Sequence, residues 1–249
     1  VRPAPSQPVK VTTDKDEYVL DNGILRVRVD RSGDIVSIYD VESSREALKS
    51  KTRLVAYENA PGWADAWDIE KSYRDYQLDL EVREDASIVE EGPVRATVRS
   101  MRGLLKSSVE VRVSLVTGER LVRVTLRPNM RDREYMVKLW VPVDVNTDRA
   151  TYDIPFGVIE RPTTSNTPWE AAKFEVPALR WADVSEDDYG VSVIAITRHG
   201  FSANGSELGV TIARTPMFPD PTTDYEPADA LVAIYPHQGD WKTSMTHRI

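Results

Sequence analysis

Apolar and polar residues alternate with a period of two along much of this chain. In Ile24–Asp30, Leu25, Val27 and Val29 are separated by Arg26 and Arg28. Val109, Val111, Val113 and Leu115 interleave with Glu110, Arg112 and Ser114, and Val122, Val124 and Leu126 with Arg123 and Thr125. Val137, Leu139 and Val141 bracket Lys138 and Trp140. Successive side chains of a strand point to opposite faces. This spacing therefore sets one face on a core and leaves the other to water or to a second layer. Gly190–Thr197 and Leu208–Ile212 also read as strands. Hairpin connections fall at Asp21-Asn22-Gly23, Arg31-Ser32-Gly33-Asp34, Thr117-Gly118-Glu119 and Asn204-Gly205, where Gly and Asn accept positive φ. Long helical periodicity is missing, and short helices are expected only near Ser44–Leu48 and Trp169–Lys173. The pattern predicts an all-β, antiparallel chain built as a sandwich of two large sheets, with no internal repeat.

From Asp148 onward prolines and aromatics cluster in Asp153-Ile154-Pro155-Phe156, Pro216–Pro221 and Tyr235-Pro236-His237. These stretches are expected to be long loops, the usual carriers of binding surfaces on a rigid sandwich. The segment Val1–Pro8 holds three prolines. Residues 1–10 are therefore expected to form an extended linker, and residues 11–249 a single β domain.

With 41% hydrophobic and 29% charged residues over 249 positions, the chain has the composition of a folded protein able to bury a substantial core. It has no cysteine, which excludes disulfides and thiolate metal sites and fits a reducing, cytoplasmic location. The net charge of −8 argues against nucleic acid or an anionic membrane surface as partner. No apolar run approaches the roughly 18 residues of a membrane-spanning helix. The sequence allows a homo-oligomer without requiring one.

Self-contained catalytic machinery is not apparent. The three histidines, His199, His237 and His247, lie in no metal-binding spacing, so no metal ligands are assigned. His199 and His237 are expected to be hydrogen-bonded loop residues. There is no nucleophile elbow, phosphate-binding loop or dinucleotide fingerprint. Of the many carboxylates (Asp65, Asp68, Glu70, Glu160, Asp183, Asp220 and Asp240 among them), most are expected to be solvated. A glycosidase pair would need a defined separation that sequence does not give. The segment Pro61-Gly62-Trp63-Ala64-Asp65-Ala66-Trp67-Asp68-Ile69 is more informative. Aromatic faces stack on sugar C–H surfaces and carboxylates accept sugar hydroxyls, so this loop offers both. The same spacing also allows Trp67 and Ile69 to be core residues. Trp169, Trp181 and Trp241 read as packing residues.

Several segments, in this order, resemble the C-terminal half of bacterial and archaeal α-mannosidases of glycoside hydrolase family 38. They are Leu20–Val27, Gly33–Asp40, Trp63–Ile69, Tyr152–Thr163, Pro168-Trp169-Glu170, Phe174–Ala178, Arg180–Asp183, Arg214-Thr215-Pro216, Pro219-Asp220-Pro221 and Tyr235–Trp241. The resemblance implies a galactose-mutarotase-like supersandwich. It also implies retaining hydrolysis of α-mannosides, with the aspartate nucleophile and a zinc ion held in an N-terminal catalytic domain absent from this sequence. The chain alone is then expected to be inactive, with no catalytic residue or cofactor of its own. Trp63, Trp67, Asp68 and Arg214 are expected to line an α-mannoside site shared with that domain. Thr197–Phe201 and Asp224-Tyr225-Glu226 depart from the family pattern, which puts substrate contacts there in question. An aldose-epimerase-like enzyme using His237 or His199 with Glu160 or Glu175, or a carbohydrate-binding module, is the alternative.

Overall fold

The computed structural model describes residues 7–249. Strands β1 (Lys10–Asp14), β2 (Glu17–Asp21), β3 (Leu25–Asp30), β4 (Ile35–Asp40) and β5 (Arg45–Glu46) form a five-stranded meander. Strands β6 (Arg53–Glu58) and β7 (Gln77–Asp79) open a second sheet. The third begins with β8 (Glu81–Glu91), β9 (Arg95–Leu104), β10 (Ser107–Val116) and β11 (Val122–Asn129). The chain returns to the second sheet in β12 (Tyr135–Pro142) and to the third in β13 (Arg149–Ile154) and β14 (Gly157–Pro162). After the one-turn helix α1 (Pro168–Ala171) come β15 (Val176–Pro177), β16 (Trp181–Ser185), β17 (Tyr189–Ala195), β18 (Gly200–Asn204), β19 (Glu207–Arg214) and β20 (Ala230–Gln238).

The nine-stranded sheet runs β14-β13-β16-β17-β20-β11-β10-β9-β8, and the six-stranded sheet β15-β18-β19-β12-β6-β7, with antiparallel pairing throughout. One continuous core draws on all three sheets. It includes Leu25, Val27 and Val29 of β3, Val113 and Leu115 of β10, Val122, Val124 and Leu126 of β11, and Val137, Leu139 and Val141 of β12. These are the positions that the period of two marks. Each fully buried Val or Leu contributes about 1.5–3 kcal/mol relative to an exposed one. The five- and six-stranded sheets are tied through the chain at 47–52, where Ile35 N–H donates to Thr52 Oγ1 at 2.9 Å and Lys49 N–H to Pro142 O at 3.0 Å. The expected sandwich of two large sheets therefore carries a third, smaller sheet.

All four expected hairpin connections are present, with Gly23, Gly33, Gly118 and Gly205 at positive φ. Other expectations need correction. Residues 44–48 are not helical: Ser44 takes a left-handed turn and Arg45–Glu46 pairs with β4. Helix α1 spans 168–171, starting where Thr167 caps it and Pro168 pre-sets its first turn. Asp153-Ile154 end β13, so that stretch is a tight hairpin and not a long loop. Tyr235-Pro236-His237 lies within β20. Proline is tolerated there because β11 pairs with β20 only as far as Ile234, leaving that edge without a ladder. Of the expected linker, residues 1–6 lie outside the described residues. Val9 is buried with its N–H on Pro93 O at 3.0 Å, and Lys10 opens β1. An apolar side chain with a core to enter anchors this end of the segment.

The β3–β4 turn docks the small sheet on the nine-stranded one. Arg102 of β9 donates to Ser32 O at 2.9 Å, and a Cβ on Gly33 would lie 2.8 Å from Ser100 Cβ at a φ of +87°. Gly33→Ala is expected to lower stability by about 1–3 kcal/mol. Urea unfolding checks this, and an unchanged midpoint would remove the turn from the list of fold-determining contacts.

Candidate functional site

Between β6 and β7 the chain leaves the sheet for a loop and the 3₁₀ turn Lys71–Tyr76. Buried Asn59 gathers the loop's ends: its N–H donates to Glu134 O at 2.7 Å, and its Oδ1 accepts from Glu70 N–H at 3.3 Å. The middle is held from across the sheet by Arg214, the last residue of β19. Its guanidinium donates to Ala66 O at 3.3 Å and to the carbonyls of Asp65 and Asp68. In return the Asp65 carboxylate accepts the backbone N–H groups of Met217 and Phe218, the latter at 2.8 Å. Burial alone would raise the Asp65 pKa. The N–H donors and the charge of Arg214 outweigh it and hold the carboxyl below its ordinary value. Burial lowers the Arg214 pKa, against the pull of Asp65, Asp68 and Glu175.

This reciprocal clamp sets Trp63 and Trp67 in the open, 82% and 70% exposed. Trp67 tilts against Phe218, with ring centroids 6.1 Å apart. The reading of Trp67 as a core residue is thus excluded; Ile69, by contrast, is half-buried against the small cluster of Val55, Tyr57, Tyr73, Met136 and Trp140. Beside the clamp a cleft of about 440 Å³ is lined by Ile69, Glu175, Val176, Arg198, His199, Thr211, Arg214 and Asp224. Arg198 is spent on the carbonyls of Thr197, Ile212 and Ala228. His199 Nδ1 lies 2.7 Å from Leu179 O. A carbonyl only accepts, so the ring's proton is on Nδ1.

Behind the cleft is a group that the sequence pattern did not single out. The face of β12 opposite the core carries Met136, Lys138 and Trp140, packed with Val55 and Tyr57 of β6 and with Tyr73. Trp140 Nε1 donates to Tyr57 Oη at 2.9 Å, and Arg74 lies 5.4 Å from the Trp140 ring. Lys138 is fully buried, with Nζ 2.5 Å from Glu175 Oε1 and 3.0 Å from Thr211 Oγ1. Tyr73 donates to the same Glu175 oxygen at 2.6 Å. Burial lowers the Lys138 pKa, and Glu175 counters it. Burial raises the Tyr73 pKa well above its ordinary value, with Glu175 adding to it. An isolated lysine between Val137 and Leu139, on a strand whose other residues are bulky and apolar, was the available signal.

The four expected site residues therefore share one assembly, but in different ways. Trp63 and Trp67 are presented to solvent. Arg214 joins the loop to the cleft. Asp68 offers its carbonyl to Arg214, while its carboxylate accepts from Ile69 N–H at 2.9 Å. His237 is not in a loop. It lies in β20, 1% exposed, with Nε2 2.7 Å from Asp183 Oδ2, and Ser192 and Thr246 complete that buried network. Asp183 is accordingly not solvated. Trp181 is core, stacked by Trp241 at 5.4 Å, whereas Trp169 is exposed on α1 and does not pack as expected. Among the described residues, no three His, Asp or Glu side chains converge to hold a metal ion, so the residues present do not fit the zinc that the resemblance implies. No helix among them is long and apolar enough to cross a membrane.

Residues 20–222 match the family model described as the glycosyl hydrolases family 38 C-terminal domain. The chain belongs to that family. It is 34% identical over 248 residues to alpha-mannosidase 2C1 of Mus musculus, covering 96% of this chain and 24% of that protein. It spans about a quarter of the length of the curated relatives it matches. Among solved structures, an alpha-mannosidase from Enterococcus faecalis V583 superposes with a TM-score of 0.72 at 13% identity, over 96% of this chain and 31% of the other. A galactose mutarotase-like protein from Lactobacillus casei superposes with a TM-score of 0.52 at 8% identity, over 89% and 100%. The expected family-38 C-terminal domain and galactose-mutarotase-like fold are both found. The cleft and clamp fall largely within the family-38 match. Asp224, just outside that match, and Arg198, His199 and Gly200 of the 197–201 departure contribute to the cleft's wall.

The Asp65 clamp has a definite pH dependence. A carboxyl held below its ordinary value stabilises the folded loop fully above that value, about 3.9 for aspartate, and the contribution is lost as pH falls through the lowered pKa. Loop 61–69 should therefore stay protected from proteolysis down to about pH 4. Asp65→Asn should open it at neutral pH with the sheet signal in circular dichroism unchanged. A fully protected D65N loop would show that the clamp does not hold it.

Proposed function

We propose that this chain completes the sugar-binding site of a retaining α-mannosidase whose catalytic centre lies outside these residues. The observation that carries the reading is the Arg214–Asp65 clamp. It holds the loop that carries Trp63 and Trp67, two large exposed aromatic faces, next to a cleft with an apolar wall and a few polar groups. Exposed aromatics of this kind are costly to keep in water unless something covers them. The stacking faces of a pyranose and the neighbouring catalytic region are what they suit. Family-38 membership supports the reading, as does the name of each curated relative in the comparison. On this reading the chain's own residues bind and orient. Trp67 and Phe218 stack, the cleft accepts hydroxyls, and the clamped loop excludes water from one side of the sugar. The metal expected of such an enzyme would be held elsewhere. A cytoplasmic location is part of the same proposal, supported by the lack of cysteine.

Of the residue pairs considered for an epimerase-like alternative, only Glu175 and His199 share a cleft. Glu160 is exposed on edge strand β14, and His237 is enclosed in its own network. The proposal therefore predicts that the chain does not accelerate glucose mutarotation in a polarimeter; clear acceleration would favour the alternative.

The direct test is hydrolysis of an aryl α-mannoside, with zinc supplied, by this chain and by the full-length protein that carries it. Activity is expected only in the latter. There, Trp67→Ala should remove about 0.5–1.5 kcal/mol of aromatic contact, raising KM roughly 2- to 12-fold. Turnover by this chain alone, or a silent W67A, would contradict the reading.

A further inference from the structure

Glu175 is an unusual carboxylate. Its side chain is 9% exposed, and its two oxygens are treated differently. Oε1 takes both the Lys138 ammonium, at 2.5 Å, and the Tyr73 hydroxyl, at 2.6 Å. Oε2 accepts no hydrogen bond among the described residues and is not among their enclosed unpartnered atoms, so it keeps some exposed surface on a residue that lines the cleft. A buried ion pair retained only for stability would do as well, or better, as a well-packed apolar pair. This pair instead fixes one oxygen and leaves its twin as a preset acceptor. Around it Ile69, Val176 and Ile212 supply an apolar wall. His199, with its proton committed to Leu179 O, leaves Nε2 as a second acceptor on the cleft's rim. Acceptors beside an apolar wall suit a neutral ligand that brings its own hydroxyl donors and a C–H face.

We propose that Glu175 is the ligand-binding carboxylate of this cleft, accepting a hydroxyl of a bound pyranoside through Oε2, with Lys138 and Tyr73 as positioning residues that hold Oε1. The proposal rests on the reading of the cleft as part of the sugar site, and it names the polar contact that reading lacks. Arg214, by contrast, turns both terminal nitrogens to the 65–68 backbone and acts on the ligand through the loop, while its buried Nε has no partner among the described residues.

The test uses the full-length protein with an aryl α-mannoside, measuring kcat and KM separately. Glu175→Gln alone strands a buried ammonium and risks unfolding. The double variant Lys138→Met/Glu175→Gln removes the charge as well and should melt close to the parent. Loss of a hydrogen bond to a charged acceptor predicts a KM raised roughly 10- to 100-fold in the double variant. Tyr73→Phe, which keeps the ring packing and frees only one bond to Oε1, should raise KM a few-fold with kcat unchanged. A merely structural role would lower the melting point and leave that split unmoved. If Trp67→Ala impairs binding while a folded K138M/E175Q has the parent's KM, the Glu175 assignment is overturned and the domain's role stands. If both are silent, the sugar-site reading falls and takes this proposal with it.

Discussion

An ammonium with no access to water must meet its counter-charge within the protein, and much of the site's geometry follows from satisfying Lys138. Its position on β12 is fixed by the period of two. With Val137, Leu139 and Val141 committed to the core, Lys138 and Trp140 face the other way. That face is not left to solvent. The 3₁₀ turn at 71–76 brings Tyr73, and the chain after α1 brings Phe174 and Glu175, so two segments far apart in sequence converge on one side chain. Removing either partner of such a pair leaves a buried charge and costs about 3–5 kcal/mol, whereas replacing both need cost little. The pair is therefore best understood by what it positions: a carboxylate oxygen, and the wall of a cleft, at a defined place on the sheet.

The Arg214 clamp applies the same logic nearer the surface. A loop with two tryptophans in water has no hydrophobic reason to hold one shape. Its shape comes from polar groups: three carbonyls around one guanidinium, and one carboxylate on two consecutive N–H groups. Charge-assisted bonds of this kind are stronger than neutral ones and are directional. Arg214 sits at the end of a strand in the middle of the six-stranded sheet, so the loop inherits the rigidity of the sandwich. The aromatic rim and the carboxylate wall are thus both referred to the same two strands, β12 and β19.

Most of the sandwich was legible in the sequence because one-sided burial writes itself as alternation. Strands β3, β10 and β11 and their glycine turns are where the pattern puts them. Legibility failed where a second constraint overrode the local one. Pro236 and the aromatics beside it suggested a loop, but β20 loses its second neighbour at that point and proline does no harm. Arg45–Glu46 looked helical by composition and became an edge strand through pairing with β4. Within the site, the Trp63–Asp68 loop was recognisable from its chemistry and from its resemblance to family 38. Glu175 was visible as part of a motif and as one of several carboxylates open to an epimerase-like reading, but not in its pairing, which depends on Lys138 and Tyr73, 37 and 102 residues away. Likewise, the sequence could propose Arg214 for the site, but not that its terminal nitrogens would turn to backbone carbonyls.

The proposal that joins these features is that clamp, aromatic loop and carboxylate wall form one side of a sugar site that another part of the full-length protein would close. A structure of the full-length protein with a mannose-configured inhibitor bound tests this most directly. The account predicts the sugar ring within stacking distance of Trp67 and a ring hydroxyl within hydrogen-bonding distance of Glu175 Oε2. An inhibitor bound with this cleft empty and turned toward solvent would contradict it.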